Sequence, residues 1–157
     1  MTGCAFAVLL DAQSVKECMK AGVGATVHLQ LGGWSDPVYS GGPVEVDAYV
    51  HMITDGFYTL KGTMSKGLRV WMDKTAVLHI AGNTVIVSSR PFQPYDLEVY
   101  RAHGIAPEEQ KLLVVKSSIH YRASFGTVAR KMICVPMPGY NVPYPQGYPF
   151  RNWKGKV

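Results

Sequence analysis

The sequence predicts one α/β domain with three helices and a mixed, largely antiparallel sheet. Three observations carry this prediction. An apolar start is followed at once by a helix signal, and the chain from Val44 to Ser89 alternates as β-strands do. The apolar run Leu112 to Val115 then leads through a serine-rich turn into another helical pattern. Strands and helices that alternate along a chain are typical of α/β domains.

The first ten residues are apolar and are predicted to form a buried strand. They lack a basic leader segment and are too short to cross a bilayer, so we expect no membrane association. Asp11 is placed to cap a helix that runs to Lys20 and stops at Gly22. Its apolar face consists of Val15, Cys18 and Met19.

Further strands are predicted between residues 25 and 89, separated by turn residues. They are Ala25 to Leu31, Val44 to Val50, Phe57 to Leu60, Ala76 to Ile80 and Thr84 to Val87. The dipeptide Gly82-Asn83 fits the tight turn of a hairpin, and an antiparallel run follows from this spacing. A glycine-rich loop around Trp34 and Tyr39 lies before the run, and such loops often carry binding residues.

The second half of the chain is predicted to alternate helix and strand. Asp96 or Tyr95 opens a short helix through Arg101, and Pro107 to Gln110 forms one helical turn. Leu112 to Val115 is a continuous apolar strand, after which Ser117 or Ser118 caps another helix. The residues expected to point inward from this helix are Ile119, Phe125, Val128 and Ala129.

The end of the chain is predicted to be a final strand, Met132 to Val135, followed by irregular structure. Residues 1–139 are expected to form the domain and residues 140–157 a proline-rich basic tail. The basic residues of the tail are Arg151, Lys154 and Lys156, which we interpret as solvated charges.

Composition excludes several classes of protein. The 157 residues carry a formal net charge of +5 without any long basic run, which argues against a nucleic-acid partner. The three cysteines, Cys4, Cys18 and Cys134, include no CxxC pair, so neither a disulfide framework nor a cysteine zinc site is expected. A reducing cytoplasm fits this usage, and Cys134, between Ile133 and Val135, is expected to be buried.

The segment Lys116 to Arg122 is the strongest candidate site. It gathers Lys116, His120 and Arg122 around Ser117 and Ser118, at the predicted start of a helix and the end of a buried strand. Unpaired backbone N–H groups and basic side chains at such a position favour a bound carboxylate or phosphate. The alternative is that the two cations pair with acids elsewhere while His120 packs.

A second polar cluster, residues 88–96, lies at another strand end and is expected to border the same cleft. Arg90, Gln93 and Asp96 are its candidate binding residues. For Arg90 and Asp96 the alternative is a salt bridge together with a helix cap, since aspartate is a favoured capping residue.

Other familiar sites find little support. His28, His51 and His79 lie in predicted strands without the paired spacing of a zinc site. No glycine motif of a nucleotide-binding loop is present, and no GxSxG elbow accompanies the serines near His120. We therefore expect no complete catalytic or metal site.

Several segments together resemble one known family. These are AGVGATVHLQLGG, the Asp55-Gly56 region, SSRPFQPYD, the helix ending in HGI, KSSIHYRASF and the later PMPG. From about Asp11 to Gly139 the chain resembles the C-terminal part of the MlrC-like proteins, a family named for microcystin degradation and regarded as zinc metallopeptidases.

This resemblance implies a two-part protein. A larger N-terminal half carries the zinc ligands, and a half like this chain closes the active-site cleft as a substrate-binding lid that is inactive in isolation. No cofactor is then expected in this chain, and zinc is expected on the N-terminal half, which becomes a partner. Carried over by position, the site comprises Lys116, His120 and Arg122 with Arg90, Gln93 and Asp96 beside them.

Two other functions stay open. The same turn suits a stand-alone module that binds a small acidic metabolite or peptide-like ligand. A structural interaction domain is the other alternative, because a face evolved for docking would be apolar and would favour a homo-oligomer.

Overall fold

A computed structural model describes residues 2–34 and 40–135 of the chain. A six-stranded sheet is built from β1 (Cys4–Leu10), β2 (Thr26–Leu31), β3 (Val44–Thr54), β6 (Thr75–Ile80), β7 (Asn83–Ser88) and β8 (Leu112–Val115). A two-stranded sheet consists of β4 (Phe57–Thr59) and β5 (Arg69–Trp71). The helices of the described residues are α1 (Ala12–Ala21), α2 (Glu98–Arg101) and α3 (Arg122–Phe125), and Pro107–Glu109 forms a 3-10 turn.

The large sheet has the order β2-β3-β6-β7-β1-β8. Strands β2, β3, β6 and β7 are antiparallel neighbours, whereas β1 lies between β7 and β8 and is parallel to both. The predicted α/β domain with three helices and a mixed, largely antiparallel sheet is therefore confirmed. The parallel part brings the first strand of the chain against strands about eighty and about one hundred residues later.

The start of α1 follows from one aspartate. Asp11 is 4 % exposed, and its carboxylate accepts hydrogen bonds from the backbone N–H and the hydroxyl of Ser14. A third bond, 2.8 Å long, comes from the N–H of Gly32 and ties the helix start to the end of β2. Asp11 is thus the predicted helix cap and also a link between two elements.

Both faces of the sheet are covered by apolar side chains. On one face, Val15 and Cys18 of α1 pack with the strand residues Leu29, Val50 and Leu78. On the other face, the β4–β5 hairpin and the two short helices supply the cover. Its largest fully buried side chains include Leu60, Met72 and Tyr100. Burying each such side chain contributes on the order of 2 kcal/mol.

The glycine between β3 and β4 is required by a close approach. Gly56 has φ of +68°, and a Cβ there would lie 2.2 Å from the carbonyl oxygen of Asp73. Its own carbonyl accepts the N–H of Met72 at 3.0 Å. A side chain at residue 56 would therefore push apart the base of the β4–β5 hairpin.

The prediction of a helix beginning at Ser117 or Ser118 is wrong. Helix α3 begins at Arg122, and Tyr121 at its cap makes no capping side-chain bond. Ile119, expected to point inward, is 67 % exposed, whereas Phe125 is buried as predicted. The serine-rich turn is a non-helical connection after β8, so the helix-dipole argument for an anion there fails.

Two predictions near the end of the described chain are also wrong. Residues 131–135 form no strand, and Ile133 and Val135 are 69 % and 63 % exposed. Cys134 is exposed rather than buried.

Two further differences lie in the first half of the chain. On α1, Met19 is 43 % exposed and lies outside the buried face that Val15 and Cys18 share. Strand β5 was not predicted from the sequence.

Tyr39 and the tail residues 140–157 lie outside the described residues. No helix within the described ranges is long and apolar enough to span a membrane.

Candidate functional site

Three parallel strands end at the same edge of the sheet, and the candidate site lies there. Leu10 near the end of β1 is paired with Ser88 of β7, and Ala7 is paired with Val115 of β8. The N–H of Lys116 continues the ladder by donating to the carbonyl of Ala7 at 3.2 Å. The carboxyl ends of parallel strands are where open α/β sheets commonly bind ligands.

A cleft of about 300 Å³ opens at this edge. It is lined by Val8, Leu10, Ser88, Pro91, Phe92, Gln93 and Lys116. The two segments that the sequence singled out, residues 88–96 and 116–122, thus contribute to one cleft, as predicted.

Gln93 joins the two segments directly. Its side-chain Nε2 donates to Oγ of Ser117 at 3.1 Å and lies 3.1 Å from Nδ1 of His120. An amide nitrogen can only donate, so this geometry fits the neutral tautomer of His120 in which Nδ1 accepts and Nε2 carries the ring proton. His120 is exposed, so the imidazole offers an N–H donor to solvent or to a ligand.

Lys116 supplies positive charge at the cleft. Its side chain is exposed, and no described acidic residue forms an ion pair with it or with Arg122. The alternative in which these two cations are neutralised by acids is therefore not realised within the described ranges. An exposed ammonium beside an N–H donor favours an anionic ligand.

Two predicted site residues stack on aromatic rings. The guanidinium of Arg122 lies 5.5 Å from the ring centroid of Tyr121, and that of Arg90 lies 4.9 Å from the ring centroid of Trp71. Ser118 is exposed. Among the predicted residues, direct contacts join Gln93 with Ser117 and His120, and Lys116 lines the same cleft as Gln93.

Asp96 is turned into the protein. It is 2 % exposed, and its carboxylate accepts the backbone N–H groups of Lys61 at 3.1 Å, Gly62 at 2.7 Å and Glu98 at 2.9 Å. These bonds link α2 to the β4–β5 hairpin. The alternative of a salt bridge together with a helix cap is not realised, because Arg90 forms no ion pair with a described residue and the cap position of α2 is Leu97, without a side-chain capping bond. Burial, together with the charge of Asp96, raises the pKa of Tyr58.

The described residues offer no set of metal ligands. No three histidine, cysteine, aspartate or glutamate side chains converge within residues 2–34 and 40–135. His28 instead contacts Asp47 at 2.9 Å, while the rings of His51 and His79 are stacked with centroids 4.4 Å apart. Partial burial, helped by the charge of His51, lowers the pKa of His79.

A second, larger groove of about 600 Å³ runs along β8 and the segment after it. Its apolar lining includes Leu113, Tyr121, Phe125 and Met132, with Lys131 on its border. Ser117 lies on this groove, whereas Gln93 and Lys116 line the smaller cleft. The smaller cleft is the better candidate for recognition of a polar ligand because both polar segments, residues 88–96 and 116–122, contribute to its lining.

Sequence reasoning missed the aromatic support of the site. Tyr95 meets the ring of His120 edge-on at 6.5 Å and stacks with Phe92 at 6.1 Å. The only sequence signal was the two aromatic residues on either side of Gln93 in PFQPY. Such rings orient an imidazole by packing.

Comparisons with known proteins agree with this architecture. The family model described as MlrC C-terminus matches residues 1–152. The chain belongs to the MlrC C-terminus family. The resemblance noted from the sequence is confirmed, and the MlrC match extends past residue 139, where the tail was expected to begin.

Two relatives extend the picture of the MlrC domain. It is 29 % identical over 126 residues to microcystinase C of a Sphingomonas species, covering 80 % of this chain but 24 % of that protein. It is 28 % identical to a solved structure of a candidate metallopeptidase from Mesorhizobium sp. BNC1, with a TM-score of 0.81. That match covers 96 % of this chain and 30 % of the other. The chain thus spans under a third of either relative.

Proposed function

We propose that this MlrC C-terminal domain is the substrate-binding lid of a larger metallopeptidase and holds a carboxylate in the cleft at Lys116. The observation that carries the proposal is the double contact of Gln93 with Ser117 and His120 beside Lys116. It couples two segments of the chain at the edge where three parallel strands end.

Lys116 and Gln93 of the cleft, with the two residues that Gln93 contacts, have complementary roles. Lys116 provides the charge, and the outward Nε2–H of His120 provides a directed donor. Gln93 is a positioning residue that holds the tautomer of His120, while Ser117 holds Gln93. Arg122 and Ser118 belong to the same turn as Ser117 and His120. Arg90 stacks on Trp71, and Asp96 is buried with its carboxylate bonded to backbone N–H groups, so neither is assigned to this set.

Metal chemistry belongs to the remainder of the longer protein in this proposal. The described residues have no ligand set for zinc, while the Mesorhizobium relative is a candidate metallopeptidase more than three times as long. A zinc ion on the remainder would supply Lewis-acid activation. Lys116 and His120 would bind and orient the carboxylate of the substrate, so the 157-residue chain should not hydrolyse peptides alone.

Exposed apolar residues support docking as a second function. Ile119, Ile133 and Val135 are each more than 60 % exposed, as is Val44 at the start of β3. Exposed apolar side chains mark an interaction surface where they form a contiguous patch. Self-association would cover them, and light scattering of the isolated chain, with its mass compared at low and high protein concentration, tests that function.

Calorimetric titration of the 157-residue chain with N-acetylglutamate tests the binding role. Lys116→Gln is expected to weaken binding by about tenfold or more, since a charge-assisted hydrogen bond contributes about 1.5–3 kcal/mol. Lys16→Gln, an exposed lysine on α1, is the matched control and should leave the affinity unchanged. Equal affinities of the two variants, or no binding at all, would contradict the proposal. Zinc-dependent peptidase activity of the pure chain, lost in Lys116→Ala and His120→Ala, would contradict the lid role.

A further inference from the structure

Four exposed side chains stack in a row on the outside of the β4–β5 hairpin. The guanidinium of Arg69 lies 4.5 Å from the ring centroid of Phe57, which lies 5.7 Å from that of Trp71 at an interplanar angle of 13°. The guanidinium of Arg90, 4.9 Å from the same Trp71 ring, ends the row. We call Arg69, Phe57, Trp71 and Arg90 the arginine–aromatic ladder.

The pleat of the hairpin accounts for the ladder. Phe57 and Trp71 are directly paired across β4 and β5, and Arg69 is one pleat away on the same face. The residues between them, Tyr58 and Val70, point inward and are buried. The core therefore fixes the backbone that presents the ladder to solvent.

The ladder has the composition of an interface. Phe57 and Trp71 are 50 % and 44 % exposed, and Met64 and Leu68 in the connecting loop are 39 % and 53 % exposed. Tryptophan and arginine dominate the energetically important residues of protein interfaces. These four side chains point away from the buried core of the hairpin, and an exposed apolar surface of this kind is typical of a binding site.

The charge of this surface is not balanced by described residues. No aspartate or glutamate occurs from Phe57 to Met72, a stretch that contains Lys61, Lys66 and Arg69. Lys61 is paired with Glu98 at 2.9 Å. Arg69 and Arg90 form no ion pair with any residue in the described ranges.

The nearest acids along the chain are already engaged. Asp55 is paired with Lys74, and Asp73 accepts the hydroxyl of Ser89 at 2.8 Å. The guanidinium groups of the ladder are thus held flat on rings, with their N–H edges free of acidic partners among these residues. A planar guanidinium in that state favours bidentate binding of a carboxylate.

We propose that the arginine–aromatic ladder is a docking surface for an acidic, extended polypeptide segment on the surface of another protein. Arg69 and Arg90 each bind a carboxylate, and the edges of Phe57 and Trp71 pack against the aliphatic parts of the segment. The guanidinium groups lie at most about 15 Å apart along the ladder, which roughly four or five residues of an extended chain span. This surface is separate from the cleft at Lys116 and does not depend on a carboxylate binding there.

Fluorescence anisotropy with a labelled peptide tests the proposal. The probe is an acetylated peptide of about eight residues with glutamate at alternate positions and threonine between, so that its acids share one face. A peptide with glutamine in place of glutamate is the control ligand. The 157-residue chain is expected to bind the acidic peptide but not the glutamine peptide, more weakly as salt rises.

Variants separate the ladder from general electrostatics. Arg69→Gln with Arg90→Gln should weaken binding by about tenfold or more, and Arg69→Lys with Arg90→Lys should weaken it less, because lysine keeps the charge but loses the planar fork. The matched control, Lys16→Gln with Lys20→Gln, removes the same charge from α1 and should change binding by less than about twofold. Lys116→Gln should weaken binding much less than Arg69→Gln with Arg90→Gln, because the cleft takes one carboxylate and the ladder takes two, so the comparison of the two variants separates the ladder from the cleft.

Three results would overturn the proposal. The first is an absence of acidic-peptide binding at low salt by a chain with native circular dichroism. The second is equal weakening by the ladder and α1 variants. The third is tighter binding of a thymidine oligonucleotide of the same length, since stacking on the rings would then make single-stranded nucleic acid the preferred occupant.

Discussion

Gln93 lies 3.1 Å from Nδ1 of His120, and this contact joins segments that are 27 residues apart in the chain. Gln93 belongs to a segment that contains Pro91 and Pro94, and His120 belongs to the segment that follows β8. Neither segment alone would orient the imidazole, because the turn at His120 is not part of a helix.

Replacing Gln93 should release His120. In Gln93→Ala the donor to Nδ1 is lost, so the ring is expected to sample both tautomers instead of holding its proton on Nε2. Long-range 15N–1H correlation spectra of the imidazole report the tautomer directly. Gln93→Glu, an acceptor at the same position, should shift the proton to Nδ1. An unchanged spectrum in both variants would show that Gln93 does not set the tautomer.

Asp96 should prove to be a structural residue. Its removal in Asp96→Ala leaves three backbone N–H groups without their acceptor, which should cost about 2–4 kcal/mol of unfolding free energy. Urea denaturation measures that loss. The folded variant should still bind N-acetylglutamate with near wild-type affinity. A selective loss of binding at unchanged stability would show that Asp96 takes part in binding.

Asp11 should be as important to the fold as Asp96. Asp11→Ala removes the cap of α1 and the acceptor for the N–H of Gly32, so we expect a loss of about 2–4 kcal/mol. Gln13→Ala, an exposed position in the same helix turn, is the control and should change the unfolding free energy little. Thermal and urea unfolding of both variants decides the comparison.

Stability should fall in mild acid because of His103. This side chain is 2 % exposed, and burial lowers its pKa in spite of a 2.7 Å hydrogen bond to the carbonyl of Val99. In the unfolded chain the imidazole of His103 takes up a proton near its ordinary pKa of 6.5, whereas in the folded chain it does so only at lower pH. The free energy of unfolding therefore decreases as the pH falls below that value.

Urea unfolding at about pH 7.5 and about pH 5 measures this dependence. His103→Gln should reduce the difference between the two conditions. His28, whose pKa is raised by its hydrogen bond to Asp47, acts in the opposite direction, so His28→Gln should leave the fall in place or increase it. A wild-type chain that is equally stable at both pH values would contradict this role of His103.

Elements with strong local signals were predicted well. The cap at Asp11 gave α1 nearly its observed bounds, and the hairpin of β6 and β7 was also found. Its turn is Ala81-Gly82 rather than the predicted Gly82-Asn83, because Asn83 is already paired with Ile80. Strand β5 was missed because it has three residues, of which Val70 alone is buried. The insertion of β1 between β7 and β8 depends on pairing across the whole chain, which no local pattern encodes.

The candidate site was predicted in part. The two polar segments were found because each follows an apolar strand, but the Ser-Ser signal at Ser117 suggested a helix start that lies five residues later, at Arg122. Ile119 fitted an inward helical position, yet the short turn leaves it in solvent. The aromatic partner of Arg90, Trp71, also depends on a tertiary contact and carries no sequence signal, whereas the partner of Arg122 is its sequence neighbour Tyr121.

The most direct test of the central claim is a two-dimensional 1H–15N NMR titration of the labelled chain with N-acetylglutamate. We expect the largest shifts at the amides of Lys116, Ser117 and His120 and at the side-chain amide of Gln93, and we expect Lys116→Gln to suppress them. Shifts centred instead on Tyr121, Phe125 and Met132, which line the groove along β8 but not the cleft, or on no single region, would contradict a carboxylate site at the cleft of this MlrC domain.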